Sequence, residues 1–594
     1  RPEQERSGFD FIVPEQRRAQ QSRLQINYSP SLAGAMTAAL PYLAGYPYGC
    51  TEQTLNRFVP TVITHKILRD MGLDLSAIRA SRTNLNAQEI GDPHTRAKQW
   101  GRLTENPVFD EQEVARMTKE GLKRLAAMQN DDGGWGWFSG WGERSYPHTT
   151  AVVVHGLSTA RQSGVAVVPE VFQGGVNWLR DYQDRRVREL QEDERQAEGE
   201  RHHYLADNLD ALIHMILTEN GIDNPDMRRY LYRDRTSLSL YAMATLGLAL
   251  RQVGDTEKLA MVLRNIKQYL VVDDENQTAY LNLPNRGYWW YWYGGDVEAH
   301  AFYLKLLART EPHGTVAAGL VKYLLNNRKH GSYWGSTRDT AYAIEALAEY
   351  MRAAGEDTPD MNLRIVIDGE TVQKVRITPD NLFTFNATYL VEGDAIATGT
   401  HRVELIREGV GPLYFNGYFS YFSLEDFITA AGLEVRVDRR AFKLEQDAQA
   451  TTMAPGARGQ ATAQKNLAYT RVPLAHGDTI SSGDLVEVEL LVHSKNDYEY
   501  IVIEDMKAAG FEPVEVQSGY TGNELGAYVE FRDEKVAFFT RMLARGTHSV
   551  SYRLRAETPG VFSALPATIS AMYAPELRGN SDEIRLGIVD EPAR

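Results

Sequence analysis

The spacing of apolar residues changes once along this chain, near residue 360. Before that point apolar residues recur at three- and four-residue spacing, as in helices that bury one face. After Met361 they alternate with polar residues, as in half-buried strands, and Asp368-Gly369 between two such runs predicts a hairpin turn. A chain of 594 residues exceeds one hydrophobic core, so about two to four domains are expected. The sequence therefore predicts a multidomain α + β protein.

The predicted helices lie at 114–129, 149–163, 238–253, 258–271, 297–309 and 340–351. Three of them follow a turn rich in aromatic residues and glycine, at 133–137, 288–295 and 333–335. Repeated helix pairs bury their apolar faces by stacking, and such a series can close on itself. We therefore expect an α/α toroid over residues 28–357, with the Trp and Tyr side chains of the turns filling seams between helix pairs. In the β part, 426–432 is predicted as a short helical connector and 449–464 as a loop.

Charge and composition exclude several function classes. The net charge of -15 disfavours nucleic acid or an anionic membrane as the main partner, because both need a basic surface. No run approaches the roughly 18 apolar residues that a membrane span requires. The single cysteine, Cys50, excludes an intrachain disulfide and a multi-cysteine metal site. We expect no metal and no cofactor. A lone cysteine is most often a small buried apolar residue.

The segment Gly49-Cys50-Thr51-Glu52-Gln53 gives this cysteine a chemical context. Cys50 and Gln53 are three residues apart, so their side chains share one face of a helical turn. The Cys50 thiolate can attack the Gln53 carboxamide and expel ammonia, which leaves an internal thioester. Gly49 permits a sharp turn before the helix. Glu52 suits the helix N-terminus and could assist the proton transfer.

A thioester hydrolyses in water unless it is shielded. Tyr46 and Tyr48 flank the cysteine, and their aromatic side chains are suited to covering the bond. The pattern Cys-x-Glu-Gln alone is weak, because it also occurs by chance at helix starts.

Longer motifs make the pattern specific. Tyr-Pro-Tyr-Gly-Cys-x-Glu-Gln-Thr resembles the thioester signature of the α2-macroglobulin and complement family in its bacterial form. Segments 334–341, 501–512 and 552–576 resemble, in the same order, the end of that family's thioester domain and the two halves of its terminal macroglobulin domain. The chain departs from the family at 505–510, where Asp-Met-Lys-Ala-Ala-Gly replaces Asp-Pro-Leu-Pro-Ala-Gly. The resemblance spans essentially the whole chain.

The resemblance implies a domain order. It places a first CUB segment at 1–27, the thioester domain at 28–357, a second CUB segment at 358–425 and a C-terminal macroglobulin or receptor-binding-like β-sandwich at 426–594. The thioester domain would thus be inserted in a β-sandwich CUB domain. The macroglobulin repeats and the protease-cleaved bait region would lie upstream of this chain.

The resemblance also implies further site residues. The terminal domain of relatives packs against the thioester region, so Met572 and Tyr573, on a loop before Pro575, would join Tyr46 in a removable lid. The alternative is that both residues belong to the terminal domain's own core. His148 stands where some thioester proteins have a histidine that attacks the thioester. The alternative is a helix residue facing solvent, since direct aminolysis needs no histidine.

The implied function is a protease inhibitor that captures host or competitor proteases covalently, not an enzyme. The absence of disulfides fits a Gram-negative periplasm. An inner-membrane lipid anchor would lie upstream, since the chain begins at Arg1 without a signal segment. The resemblance leaves open a cell-wall synthase partner and favours a monomer.

Three alternatives stay open at this point. A transglutaminase- or papain-like enzyme also uses one Cys with a His. A toroid cyclase is suggested by the turn at 129–135, although 207–210 and 273–275 do not fit a catalytic Asp cluster. An adhesive β protein would leave Cys50 unexplained. Methylamine separates them, because only a thioester gains an amine at Gln53 and a free thiol together.

Overall fold

The computed structural model describes residues 5–45, 50–76, 78, 106–138, 143–196, 204–274, 276–283, 295–329, 333–382, 385–447, 451–455, 461–465, 468–520, 522–572 and 574–590. These residues divide into two compact units, with the chain boundary between Phe419 and Ser420, and residues 14–22 group with the second unit. None of the described helices is long and apolar enough to cross a membrane.

The first unit contains the helices. Their bounds are α1 (Ala33–Ala44), α2 (Thr51–Asp70), α3 (Glu111–Met128), α4 (Pro147–Gln162), α5 (Pro169–Arg195), α6 (Asn208–Glu219), α7 (Pro225–Arg233), α8 (Leu240–Val253), α9 (Thr256–Lys267), α10 (Asp296–Thr310), α11 (Thr315–Asn326) and α12 (Thr337–Ala353). Each even-numbered helix packs against the next, from α2 through α10 to α12, and α12 packs against α2. The odd-numbered helices α3, α5, α9 and α11 pack beside α2, α4, α8 and α10.

Two tryptophan turns each form hydrogen bonds to the helix before the turn and to the helix after it. The buried Trp135 indole N–H donates to Leu125 O at 2.8 Å, and the Trp135 backbone N–H donates to Thr150 Oγ1 at 2.9 Å. The Trp334 indole donates to Leu324 O at 2.9 Å, and its backbone N–H donates to Thr340 Oγ1 at 3.1 Å. These two turns therefore fill seams between helices, as their aromatic residues predict. The turn at 288–295 lies, except for Gly295, outside the described residues.

Two sheets are built from strands on both sides of the helices, and two of these strands, β2 and β9, include residues grouped with the second unit. The strands up to residue 423 are β1 (Arg6–Val13), β2 (Arg17–Ser29), β3 (Leu270–Asp273), β4 (Thr278–Leu281), β5 (Asp360–Ile367), β6 (Glu370–Ile377), β7 (Thr388–Glu392), β8 (Gly399–Val410) and β9 (Tyr414–Ser423). One sheet has the order β1-β8-β5-β6 and the other β7-β2-β9, so the helices are an insertion between β2 and β5. Asp368 and Gly369 adopt positive φ angles of 52° and 87° at the predicted β5–β6 turn.

The second unit is a β-sandwich. Its strands are β10 (Ala431–Gly432), β11 (Val435–Asp447), β12 (Thr451–Pro455), β13 (Ala461–Lys465), β14 (Ala468–Leu474), β15 (Thr479–Ser481), β16 (Leu485–Ser494), β17 (Tyr498–Met506), β18 (Phe511–Pro513), β19 (Gly519–Tyr520), β20 (Tyr528–Phe531), β21 (Lys535–Leu543), β22 (Gly546–Ala556), β23 (Gly560–Ala564), β24 (Thr568–Ala571), β25 (Ala574–Asn580) and β26 (Ile584–Val589). A seven-stranded sheet, β10-β25-β24-β17-β21-β20-β19, and a five-stranded sheet, β14-β11-β16-β22-β18, contribute to one apolar core. A three-stranded sheet, β15-β26-β23, and the two-stranded β12-β13 sheet also belong to this unit.

A buried ion pair joins the two sheets of this sandwich. Arg439 Nη1 lies 2.7 Å from Asp505 Oδ1, and the Tyr552 hydroxyl donates to Asp505 Oδ2 at 2.8 Å. Asp505 is 1% exposed, so it needs these donors to stay in the core. Asp505 is thus a residue with a structural role, and it matches the family pattern, from which the chain departs only at 506–508.

The element predictions are confirmed within a few residues, with three corrections. The helix predicted at 258–271 ends at Lys267, because Val271 belongs to the β3–β4 hairpin. No helix forms at 426–432, since Ile428 is held by the backbone and carboxylate of Glu583 and β10 follows. The loop predicted at 449–464 contains most of the β12–β13 hairpin, in which Thr451 pairs with Lys465 and Pro455 with Ala461.

Candidate thioester site

Cys50 and Gln53 contact each other through reciprocal hydrogen bonds at the start of α2. Cys50 is the N-cap residue, with extended backbone (φ -65°, ψ 170°), and Gln53 stands at the third helical position. The Gln53 backbone N–H points to the Cys50 side chain, and the Cys50 N–H donates to Gln53 Oε1 at 3.3 Å. This reciprocal arrangement is a capping box, in which a cysteine replaces the usual Ser or Thr. It brings the thiol and the carboxamide to the same helix end.

The Cys50 thiol is buried and held in its protonated form. The residue is 7% exposed. Burial raises the pKa of the thiol above its ordinary value, the Gln53 backbone N–H opposes that shift, and the charge of Glu52 adds to it. Because a thiolate is the nucleophile in acyl transfer, attack by Cys50 needs a group that takes the thiol proton.

Thr51 ties the helix start to the turn that precedes α4. Its backbone N–H donates to Trp137 O at 2.9 Å, and its Oγ1 donates to Gly136 O at 2.7 Å. Thr51 is fully buried. The tryptophan turn therefore fixes the position of the cysteine as well as the seam beside it. Sequence reasoning missed this role of Thr51, since its partners lie far along the chain.

A buried arginine faces the acidic residue of the motif. Arg338, at the second position of α12, lies 3.7 Å from Glu52 Oε2 through its Nη1 and also pairs with Glu298 on α10. Burial raises the pKa of Glu52, the positive charge of Arg338 lowers it, and Asp339 raises it. Asn56 Nδ2 donates to Glu52 Oε1 at 3.4 Å. The Glu52 carboxylate is thus held beside Cys50 by an arginine from another helix.

His148 lies at the second position of α4, which packs against α2. Burial lowers the pKa of His148 to about 3, and the positive charge of Arg338 contributes to the shift. The imidazole is partly buried rather than open to solvent. Its electrostatic link to Arg338 places it near the acidic residues at this end of the helices. Whether it attacks a thioester stays a prediction.

Comparison with known proteins finds similarity to one family. The model of the bacterial α2-macroglobulin MG10 domain matches residues 435–576, which run from the start of β11 into β25. The chain is similar to bacterial α2-macroglobulins over this domain and beyond it. The α2-macroglobulin of Thermotoga maritima is 24% identical over 327 residues, covering 55% of this chain and 15% of the relative. The α2-macroglobulin homolog of a Nostoc species is 24% identical over 496 residues, covering 82% of this chain and 24% of the relative.

The chain is thus similar to a quarter or less of the length of these two family members. Among solved structures, the trypsin-activated α2-macroglobulin of Escherichia coli is 17% identical, with a TM-score of 0.46, and the match covers 98% of this chain and 35% of that one.

The shielding residues predicted from the family resemblance are only partly described. Tyr46, Tyr48, Gly49 and Tyr573 lie outside the described residues. Met572 follows β24 in the second unit, where its side chain is 50% exposed and its backbone N–H donates to Tyr500 O at 2.8 Å. Met572 is therefore not buried in the core of its own unit. Its role in a lid stays a prediction.

Two other histidines of the first unit, His155 and His300, have structural partners. His155 Nε2 lies 3.0 Å from Glu345 in a buried network with Lys305, and His300 Nε2 accepts the Leu281 N–H at 2.8 Å. His202 and His203 lie outside the described residues. Among the residues that the structure describes, no group of three or more His, Cys, Asp or Glu could hold a metal ion.

Proposed function

We propose that this chain carries the internal thioester of a bacterial protease inhibitor, which captures its target protease covalently. The observation that carries the proposal is the reciprocal capping of Cys50 and Gln53 at the buried start of α2. Family members bear the name of a protease inhibitor, which supports the same function. The acyl group is consumed once per capture, so the chain is an inhibitor rather than an enzyme.

The chemistry needs two balanced steps. In formation, Cys50 Sγ attacks the carboxamide carbon of Gln53, a C–S bond forms, the C–N bond breaks, and the thiol proton leaves with the nitrogen as ammonia. In capture, an amine of the protease attacks the same carbon, an amide forms, and the C–S bond breaks. The amine proton ends on Cys50 Sγ. Glu52 is the neighbouring group able to carry the proton in both steps.

The site argues against a papain- or transglutaminase-like enzyme. Such enzymes activate the cysteine as a thiolate beside a protonated histidine. Here burial raises the pKa of Cys50 and lowers that of His148, so both groups favour their neutral forms. A neutral thiol beside a carboxamide fits a thioester precursor better.

The architecture that we propose is the one implied by the resemblance. Residues 28–357 form an α/α toroid, supported by the closed packing order of α2, α4, α6, α8, α10 and α12. Residues 1–27 and 358–425 form a CUB domain around it, supported by the pairing of β1 with β8 and of β2 with β7. Residues 426–594 form the terminal macroglobulin or receptor-binding-like domain.

The setting is part of the proposal. We place the protein in the periplasm of a Gram-negative cell, held at the inner membrane by a lipid on an upstream segment. Its targets are host or competitor proteases that breach the envelope. It acts as a monomer without a cofactor, and a cell-wall synthase is a further partner to test.

Intact mass and thiol reactivity test the bond directly. The purified chain should weigh one ammonia less than its sequence predicts, show no reactive thiol, and release one thiol when methylamine adds at Gln53. Cys50→Ala should have the full mass and no response. Gln53→Glu cannot expel ammonia, so this matched variant should have the full mass and a free thiol before any amine is added. Full mass with an immediately reactive thiol in the unsubstituted chain would contradict the proposal.

A further inference from the structure

We propose that Arg338 is a positioning residue for the thioester chemistry, acting through the Glu52 carboxylate. This inference rests on the proposed function and names a device that controls the same bond. The observation behind it is an ion pair at one end of the helices. There Arg338 is the cation whose ion pair reaches the Cys50-x-Glu52-Gln53 turn.

Three helix starts meet at this end of the first unit. Helices α4 and α12 both pack against α2. The second residues of α4, α2 and α12 are His148, Glu52 and Arg338. The two tryptophan turns make the flanking positions equivalent, because His148 precedes Thr150 by two residues and Arg338 precedes Thr340 by two, and each threonine receives a Trp backbone N–H. The equivalent position, two residues before the threonine, is thus a histidine at the start of α4 and an arginine at the start of α12.

The charges at this site come from five helices. Cys50 and Glu52 lie on α2, His148 on α4, Tyr241 on α8, Glu298 on α10, and Arg338, Asp339 and Tyr342 on α12. Arg338 is the cation that lowers the pKa of Glu52, whereas burial and Asp339 raise it. The side chains of Arg338 and Glu52 are only 16% and 19% exposed, so water screens the pair weakly. Without Arg338, burial beside Asp339 would favour the protonated form of Glu52.

The ionised form of Glu52 is the one that the chemistry can use. During aminolysis the attacking nitrogen bonds to the Gln53 carbonyl carbon and the C–S bond breaks. A Glu52 carboxylate takes the proton of that nitrogen and returns it to Cys50 Sγ. A protonated Glu52 cannot accept it. Arg338 therefore opposes the protonation of this proton carrier, although it touches neither reacting atom.

The pH profile of methylamine incorporation tests this role. The rate for Arg338→Gln is divided by the rate for the unsubstituted chain at each pH, so the protonation of methylamine itself cancels. We expect this ratio to fall by about tenfold between pH 8 and pH 6, as Glu52 takes up a proton. Arg338→Lys retains the charge and should restore most of the rate. Glu52→Gln should be slow at both pH values, and adding Arg338→Gln to it should cause no further loss.

Controls separate this role from loss of structure. Arg309 is also a partly buried arginine of the first unit, paired with Glu219 and Glu349, so Arg309→Gln should lower stability and leave the rate ratio constant with pH. Should Arg338→Gln fail to fold, Glu298→Gln carries the test. It leaves Arg338 beside Glu52, so the ratio should not fall at low pH.

Two results would overturn the inference. They are a constant ratio in folded Arg338→Gln, and a falling ratio in Glu298→Gln. Both are distinct from failure of the proposed function, which would show in the unsubstituted chain as full mass and a free thiol.

Discussion

The imidazole of His148 is set by its surroundings to stay neutral. Its pKa is lowered to about 3 by burial, with a contribution from the charge of Arg338. A neutral imidazole keeps a free lone pair, so it can act as a nucleophile or a base well below the pH at which an exposed histidine gains its charge. The same shift affects stability. The unfolded chain binds a proton at His148 below about pH 6.5 and the folded chain does not, so stability is lost as pH falls from there toward 3.

A kinetic test follows from the neutral imidazole. We expect the ratio of methylamine rates for His148→Ala and the unsubstituted chain to stay constant from pH 5 to pH 8, whatever its size. A ratio below one would assign His148 a part in the reaction. A ratio that changes near pH 6.5 would contradict the depressed pKa, because it would show the imidazole titrating as an exposed group does.

For individual residues, the sequence predicts contacts within a single helical turn. Cys50 and Gln53 share one helical turn, which spacing alone indicates, and the helix begins at Thr51. The partners of the turn could not be predicted, because Arg338 is remote from Glu52 in sequence and Gly136 is remote from Thr51. Only the tertiary packing of α2 against α12 and α4 brings these groups together.

At the scale of elements, the end of α12 and the start of β5 are joined around a buried carboxyl group. Glu356 is 2% exposed, its Oε2 accepts the Tyr414 hydroxyl at 2.8 Å, and Tyr350 is its other partner. Burial raises the pKa of Glu356 from 4.5 to about 7, and the two tyrosine hydrogen bonds oppose that shift only in part. No cation among the described side chains offsets the burial. The connection between helices and sheet therefore favours a neutral Glu356.

This predicts a pH-dependent stability that one substitution removes. Between pH 4.5 and 7 the unfolded chain loses the Glu356 proton and the folded chain keeps it, so stability falls as pH rises through that window. At pH 8 the penalty amounts to about 3 kcal/mol. Glu356→Gln should be more stable than the unsubstituted chain by up to that amount at pH 8, and by less than about 1 kcal/mol at pH 5.

Denaturant unfolding followed by tryptophan fluorescence reports on the first structural unit, which contains Glu356, since all nine Trp residues precede Ser420. The matched control is Glu370→Gln at the exposed start of β6, which should show the same pH dependence as the unsubstituted chain. If Glu356→Gln is no more stable at pH 8 than at pH 5, relative to the unsubstituted chain, the raised pKa is wrong.

Periodicity predicted the long elements and missed the short ones. Helices α3, α4, α8, α9, α10 and α12 follow from apolar spacing, and the β5–β6 hairpin follows from Asp368-Gly369. The β3–β4 hairpin was missed because four-residue strands carry too few positions to show alternation, and part of β3 reads as a continuation of α9. The tryptophan turns were predicted as seams, but their indole-to-carbonyl bonds need the packed helices.

At the scale of the whole molecule, the helices are bracketed by strands that share sheets. Arg6 pairs with Ile406 and Val13 with Gly399, across the entire helical insertion. Periodicity alone gives no information on such long-range pairing, and the insertion was expected only from the family resemblance. The β1-β8-β5-β6 and β7-β2-β9 sheets therefore each need chain from both sides of the helices.

The last prediction concerns the cover of the thioester. A thioester in water is at kinetic risk, and Cys50 is 7% exposed. Met572, in the second unit, exposes half of a large apolar side chain, which fits a residue that covers something other than its own core. We predict that replacing Met572 and Tyr573 by Ala speeds the methylamine reaction well beyond that of the unsubstituted chain. The melting curve should stay unchanged, because an exposed side chain contributes little to stability.

The matched control for this double variant is Met542→Ala, which removes another exposed methionine of the same unit, 61% exposed on β21. It should leave both the amine rate and the melting curve unchanged, so a general effect of removing surface methionine is excluded. An unchanged amine rate in the double variant would contradict the lid. A collapsed melting curve would instead assign Tyr573 a structural role in the terminal domain, because removing a buried aromatic side chain costs about 3 to 5 kcal/mol. A faster amine reaction at constant stability is the one outcome that only a removable cover produces.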